Sequence, residues 1–243
     1  MAETHRAQLP RGAELAWATA REPKRGPRPG LNLGQIVHAA IGLADRSGLA
    51  AVSLARVAAE LGCATTSLYR YVRAKEDLVL LMRDTAAAPP PDLHRPDPDR
   101  WEQSLRRLAE QIFARYRAHP WMLDTPPTGP PTTPNELMWG EHMLRAMSRT
   151  TLSAPDRLRA ITLITGYVRE QARLAADPVI AGEAESGYVQ LLSGVLTPDR
   201  YPMFCQLFAD ETITSSIAYT DQDFQFGLDR IMTGLTDLAK RSA

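Results

Sequence analysis

The stretch SLARVAAELGCATTSLYRYVRAKEDL, Ser53 to Leu78, decides the fold. Leu54, Val57, Ala58 and Leu61 recur at i, i+3, i+4 and i+7, the spacing that gathers side chains on one face of an α-helix. Ser53 stands where an N-cap belongs, with a hydroxyl to accept from a free backbone N–H, and Gly62 stops the helix. After the short break Gly62-Cys63-Ala64, Thr65 or Thr66 caps a second helix running to Val72. Leu68 and Val72, four apart, share a face and are expected to pack on Val57 and Leu61. The helical wheel then turns Thr66, Tyr69, Arg70 and Arg73 outward. Two helices joined by a glycine turn, the second with hydroxyl, aromatic and guanidinium groups on its free side, are the sequence form of a helix-turn-helix.

Upstream, Asn32 caps a helix to Ser47 with Ile36, Ile41, Leu43 and Ala44 on its apolar stripe, and Gly48 ends it. Three helices within residues 31–83 thus compose a small DNA-binding domain. Its chemistry can be stated atom by atom. Thr65, Thr66 and Ser67 offer hydroxyls and backbone N–H groups to phosphate oxygens. Arg70 suits bidentate contact with guanine, Thr66 a thymine methyl, and Tyr69 a span from base to backbone. Lys75, opening the next helix, adds a phosphate contact. The same spacing also suits an ordinary surface helix, with Tyr69 and Tyr71 at the edge of the core and Arg70, Arg73 and Lys75 as a solvated face.

Charge distribution favours the DNA reading. The 243 residues carry no net charge, but residues 1–83 hold 12 Lys and Arg against 7 Asp and Glu, and the remainder holds 16 against 21. A basic first third points to an anionic partner for that part, nucleic acid or a membrane surface. Residues 1–30 lack periodicity and end in EPKRGPRPG, Glu22 to Gly30. They are expected to form a flexible basic arm with a short helix possible at Ala13–Ala20. Lys24, Arg25 and Arg28 would lie along phosphates or enter a minor groove, or else serve a solubilising tail.

Beyond the first domain the pattern stays helical. A helix from Lys75 fades at Pro89–Pro91, and the proline-rich run Ala88–Arg100 connects it to a helix at Trp101–Ala118 that breaks at His119-Pro120-Trp121. Asp124–Pro134 is a proline-rich loop, followed by a helix from an Asn135 cap to Ser148. Pro155–Ala176 is apolar on more than one face, which predicts a central, buried helix. Shorter helices are expected at Glu183–Val195 and Pro198–Ala209, and Asp221–Lys240 closes the chain. The fold class is all-α: an N-terminal three-helix DNA-binding domain, then a C-terminal helical domain over 84–243. Cys63 and Cys205 lack metal-like spacing and suit reduced thiols in a cytoplasmic protein. No apolar run reaches the ~18 residues of a membrane span. No nucleophile elbow, P-loop, HExxH, GxGxxG or paired-carboxylate arrangement speaks for an enzyme.

Residues 36–78 resemble the DNA-binding domain of the TetR/AcrR family of bacterial transcriptional repressors. AAIGLADRSGLAAVSLARVAAELGCATTSLYRYVRAKEDL carries the likeness, through Ser53, Val57-Ala58, Leu61-Gly62, Ser67-Leu68-Tyr69, Lys75 and Leu78. Tyr71-Val72 departs from the His-Phe of many members, and Ala64 from a frequent Gly or Ser. The resemblance implies that Ser53 and Lys75 anchor phosphates and that Thr65, Thr66, Ser67, Tyr69, Arg70 and Tyr71 face DNA. HPWMLDTPPTGPPTTPNEL and DFQFGLDRIMTGLTDL are similar to the tetracycline-repressor-like C-terminal domain. That likeness implies a ligand-binding and dimerisation domain, a small-molecule effector, repression of a palindromic operator, and no cofactor. Control by protein partners without a small-molecule ligand is the alternative.

Phe224, Leu228, Ile231, Leu235 and Leu238 are spaced 4, 3, 4 and 3, a heptad-like seam that suits a homodimer or packing within one chain. Gly227 and Gly234 would let another helix approach. For a ligand pocket the candidates are Phe113, Tyr116, Trp121, Met122, Trp139, His142, Met143, Met147, Tyr167 and Gln171. Aromatic and Met side chains with a few polar groups suit an apolar or amphipathic ligand, and each of them equally suits plain core packing. No His, Asp or Glu cluster suggests a metal.

Overall fold

The computed structural model describes residues 9–21, 31–90, 93, 95–125, 129–177, 192, 194–209 and 219–242. Among them all regular structure is helical, and the chain divides into two compact units, 1–150 and 151–243. The sequence-similar domain boundary at 83/84 therefore falls inside the first unit.

The first unit begins with α1 (Arg11–Arg21), α2 (Leu33–Ser47), α3 (Leu54–Glu60), α4 (Thr65–Leu68) and α5 (Lys75–Ala86). Asn32 caps α2 as expected: its side-chain oxygen accepts from Gln35 N at 2.9 Å, and Gln35 Oε1 accepts from Asn32 N at 3.0 Å. This reciprocal pairing satisfies two of the helix's orphan donors. Ser53 accepts from Arg56 N at 3.2 Å and caps α3. Ile36, Val37, Val57, Leu68, Val72, Leu78 and Met82 form one buried core. Burying a side chain of this kind contributes about 1.5–3 kcal/mol, so the helix-turn-helix is held mainly by its apolar face.

The expectation of a flexible arm over residues 1–30 gives way at α1. Ala13 and Ala16 are buried, and a Cβ on Gly12 would stand 3.0 Å from the Asp77 carbonyl of α5. Small residues on one side let the helices approach this closely. Trp17 Nε1 donates to Thr132 O at 3.0 Å, and Arg11 lies 3.7 Å from Asp77. Periodicity was weak here because alanine contributes so little hydrophobic contrast. Lys24, Arg25 and Arg28 lie outside the described residues.

The rest of the unit comprises α6 (Trp101–Ala118), a 3-10 segment Pro120–Asp124 and α7 (Pro134–Ala146). Asn135 is not the cap of α7. Thr133 holds the N-cap position, but its side chain makes no capping bond. The acceptor comes instead from α5: Asp84 takes Asn135 N at 2.8 Å and Asn135 Nδ2 at 3.0 Å. Arg83 pairs with Glu136 at 2.7 Å, and Trp139 Nε1 donates to Ala87 O at 2.6 Å. Three polar contacts thus fasten the C-terminal half of α5 to α7.

Asp84 is buried, and its pKa is raised, first by desolvation, with hydrogen bonds from Thr133 and Asn135 opposing. A raised carboxyl pKa means the folded state holds its proton more tightly than the unfolded state. The associated stability is present below the unfolded value and is lost as pH rises through the folded one. Asp84→Ala is expected to lower stability by about 1–3 kcal/mol at neutral pH by orphaning the α7 donors. Against Asp84→Asn, the wild type should gain stability as pH falls from neutral toward 4. Urea midpoints of the three proteins at several pH values check both effects.

The second unit contains α8 (Ala154–Ala176), α9 (Pro202–Phe208) and α10 (Asp221–Arg241). Ser153 caps α8 through Asp156 N, and Thr220 with Asp223 forms a capping box on α10. Ala160, Ile164, Val168 and Ala172, four apart, are buried on α8, as are Phe224, Leu228, Met232 and Leu235 on α10. These two helices pack on each other. The Tyr167 ring stacks on Phe224 at 5.9 Å, and its hydroxyl donates to the carbonyls of Asp223 at 3.0 Å and Phe224 at 2.9 Å.

Two expectations are corrected. First, α8 is not buried all round: Leu158 is 60% exposed and Leu163 50%. Second, Phe224, Leu228 and Leu235 are not a free seam, because they are covered inside their own unit, while Ile231 is half-buried and Leu238 exposed. Heptad spacing reports an apolar face but not whose side chains cover it. Gly227 is likewise occupied, by Tyr167 of the same unit, whereas a Cβ on Gly234 would meet nothing within 4 Å. The Glu183–Val195 helix lies almost wholly outside the described residues. Pro198–Ala209 contracts to α9, with Pro202 in its first turn. No helix among the described residues is long and apolar enough to cross a membrane.

Candidate nucleic-acid interface and effector region

The two helices of the helix-turn-helix are α3 and α4. Between them Gly62 adopts φ +64°, in the left-handed region that glycine enters without steric cost. Cys63 N donates to Ala58 O at 3.0 Å across this turn. Regular helix in α4 is shorter than the expected Thr65–Val72, but the chain continues to coil: Tyr71 N and Val72 N both donate to Leu68 O, at 2.9 and 3.0 Å. Leu68 and Val72 are fully buried, as the wheel required.

Orientation follows from that anchoring. Thr66, Tyr69, Arg70 and Arg73 are exposed, Tyr69 at 51%. None of these four side chains makes a hydrogen bond or ion pair among the described residues; Arg70 lies over the Tyr71 ring at 5.8 Å. Thr65 and Ser67 are half-exposed on the flanks, and Lys75 is exposed at the uncapped N-terminus of α5. Ser53 is half-buried beside this group. Tyr71 departs from expectation: it is half-buried and its hydroxyl donates to Leu31 O at 2.5 Å. Its polar tip fastens the entry of α2, so its first duty is inside the module. Arg73, which the wheel turned outward but which had no assigned contact, joins the exposed basic group.

The ligand candidates disperse. Trp121 and Met122 are buried in the core of the DNA-binding module, and Tyr116 packs against that core. Asp45 explains the placement: one of its oxygens accepts from Trp121 Nε1 at 2.7 Å and lies 2.8 Å from His119 Nδ1. The acidic end of α2 thereby draws in the segment after α6. Trp139 is committed to Ala87, and Tyr167 to the first turn of α10. Phe113, Met143 and Met147 are buried, and Gln171 is half-buried on α8. His142 remains distinctive. Its Nδ1 is buried without a hydrogen-bond partner, and its pKa is lowered, first by desolvation and then by Arg145. Both effects disfavour the protonated imidazole. Among the described residues no group of three or more His, Cys, Asp or Glu side chains could hold a metal.

A buried three-helix core that presents a short, exposed, basic and aromatic helix defines a helix-turn-helix DNA-binding regulator. Residues 36–82 match the family described as bacterial regulatory proteins, tetR family, and residues 95–239 match the tetracyclin repressor-like C-terminal domain. The chain belongs to this TetR family. It is 36% identical, over 93% of its length and 85% of the relative's, to the HTH-type transcriptional repressor DrrR1 of Streptomyces coeruleorubidus. It resembles apo ActR from Streptomyces coelicolor with a TM-score of 0.73 and 25% identity, covering 89% of this chain and 100% of that one. ActR in complex with (S)-DNPA gives a TM-score of 0.67 at 25% identity, with coverage of 86% and 99%. Membership makes the protein a DNA-binding transcriptional repressor rather than an enzyme.

Proposed function

We propose that two copies of the chain set their α4 helices in successive major grooves of a palindromic operator. The observation that carries this reading is the exposed, uncommitted face of Thr66, Tyr69 and Arg70 above a fully buried Leu68 and Val72. Arg70 pairs with a guanine edge, Thr66 touches a thymine methyl, and Tyr69 spans base and backbone. Ser53, Thr65, Ser67 and Lys75 hold phosphates and set the register. Lys24, Arg25 and Arg28 add sequence-independent attraction from the arm. A DNA-bound role places the protein in the cytoplasm.

Dimerisation uses the apolar surface left over on the second unit. Leu158 and Leu163 of α8 and Phe226 and Leu238 of α10 are exposed, Phe226 at 69%. Gly234 leaves room there for a close helix approach. This surface replaces the Phe224–Leu238 seam as the proposed contact between copies.

The effector binds His142 and supplies the hydrogen-bond partner its buried Nδ1 lacks, with apolar support from Phe113, Met143 and Met147. A structural relative, ActR, has been seen with a small molecule, which supports effector control. Mechanically, α5 is the link. It carries Lys75 at one end and is bolted to α7 through Arg83, Asp84 and Ala87 at the other, a rod of about 18 Å. Displacement of α7 on ligand binding is passed to the DNA-facing end. By linkage, the operator-bound state must bind effector more weakly.

Selection of bound fragments from a random DNA pool tests the reading. A palindrome with half-sites about one duplex turn apart is expected. Recovery of DNA without two-fold symmetry, or of no sequence at all, would refute it.

A further inference from the structure

Leu93 and residues 95–100 border the start of α6 and with it line a surface groove of about 280 Å³. Its floor is apolar. Pro96 and Leu108 are buried, and Leu93 is half-buried. Its rim is predominantly cationic: Arg95, Arg100 and Arg107 line it against Asp97. Gln103 and Arg107 stand at i and i+4 on α6, and Arg100 sits at its N-cap.

The wall is built rather than loose. Ser104 Oγ accepts from Asp97 N at 3.0 Å and donates to Asp97 O at 3.1 Å, which pins the segment to α6. The nearby carboxylates have partners of their own, and the three guanidinium groups outnumber the one carboxylate, Asp97, that lines the groove. Asp97 Oδ1 accepts from Asp99 N at 2.9 Å, and Asp99 pairs with Arg149 at 2.7 Å. In this unit Arg46 pairs with Glu60 and Arg83 with Glu136. Among the described residues, the side chains of Arg95, Arg100 and Arg107 have no acidic partner.

Three uncommitted guanidinium groups over an apolar floor make a specific demand. Guanidinium binds carboxylate through paired, charge-assisted hydrogen bonds. The floor gains only from a ligand with an apolar body, which inorganic anions lack. The volume lies just below the ~300–1,000 Å³ of drug-sized sites, so the body is small. We propose that this groove is a binding site for a small amphipathic carboxylic acid, with its carboxylate on Arg100 and Arg107 and its ring or chain on Leu93, Pro96 and Leu108. The site is separate from His142 and goes beyond the operator reading.

Calorimetric titration of the full chain with 2-naphthoate tests it. Binding is expected, weakened at least about tenfold by Arg100→Gln or Arg107→Gln and by replacing the acid with its methyl ester. Inorganic phosphate at equal concentration should not compete. No binding of naphthoate, equal binding of the ester, undiminished binding by both variants, or full competition by phosphate each overturns the proposal. Both arginines are exposed, so both variants should keep the wild-type melting temperature. Operator affinity measured without naphthoate should be unchanged in them. A wild type that finds no operator would sink the repressor reading and leave the titration to be judged by itself.

Discussion

Replacing Arg70 and Lys75 together by alanine is expected to weaken operator binding by at least about a hundredfold. A bidentate arginine–guanine contact is worth about 1–3 kcal/mol, and a two-fold dimer makes each contact twice. The loss from Arg70 alone is then about 2–6 kcal/mol, where every 1.4 is tenfold. Lys75 should act differently. A phosphate contact lowers affinity for all sequences alike and carries salt dependence of about 0.9 in slope per contact. Lys75→Ala should therefore flatten the plot of log affinity against log salt by about 2 for the dimer, whereas Arg70→Ala should mainly relax preference at one base pair of each half-site. Neither side chain is buried or ion-paired, so stability should move by no more than about 0.5 kcal/mol. Fluorescence anisotropy with the selected operator at several salt concentrations reads all of this. If the double variant binds as tightly as the wild type, α4 is not the recognition element.

The DNA-binding module was legible because its signals are local. Two helices of the module have their punctuation next to them in the chain, Asn32 and Gly48 around α2 and Ser53 and Gly62 around α3; α4 starts after Ala64 with no side-chain cap, not at a Thr65 or Thr66 cap. The module's apolar residues recur at one helical period. The wheel alone placed Leu68 and Val72 inside and Thr66, Tyr69, Arg70 and Arg73 outside, as the structure does. What escaped the reading depends on partners distant in sequence. Tyr71 was expected to face DNA or sit at the edge of the core; its acceptor, Leu31 O, lies 40 positions away. Trp121 and Met122 looked like pocket residues because they follow α6, yet Asp45 recruits the indole to the core beneath α2. Asn135 resembles a cap in isolation. Only the folded chain brings Asp84 to the donors of α7.

The ligand region was harder for a related reason. A pocket is defined by what its lining side chains fail to touch, and sequence spacing carries no record of that. Of the candidates on α7, Trp139 is satisfied by a backbone carbonyl and His142 is not, though both are polar-tipped rings three residues apart. The arginine groove left a trace that can be recognised afterwards. Arg95, Arg100 and Arg107 recur within thirteen residues, although Asp97 and Glu110 stand three positions from Arg100 and Arg107.

Gly227→Ala should destabilise the second unit by about 2–4 kcal/mol, although alanine favours helix over glycine by about 1 kcal/mol. The reason is the occupant of the space. A Cβ at position 227 would overlap the hydroxyl and ring of Tyr167. That ring cannot simply turn away. It is stacked on Phe224, and its hydroxyl is held by the carbonyls of Asp223 and Phe224. Displacing it forfeits that stacking and those hydrogen bonds, each bond worth about 0.5–1.5 kcal/mol, and strains the contact of α8 with α10. Gly234, one heptad further along the same helix, supplies the opposite sign. It is exposed and a Cβ there meets nothing within 4 Å of its own chain, so Gly234→Ala should leave stability equal or raise it by up to about 1 kcal/mol. The pair separates helix propensity from packing, because propensity predicts the same gain at both sites. In a Tyr167→Ala background Gly227→Ala should cost little or nothing, a coupling that urea melts of the two single variants and the double variant would measure. Equal stabilisation by the two glycine substitutions would mean that Tyr167 does not rest on α10. Should Gly227→Ala be destabilised as expected, its operator affinity should fall with it, since the exposed faces of α8 and α10 that are proposed to join two copies depend on that same contact.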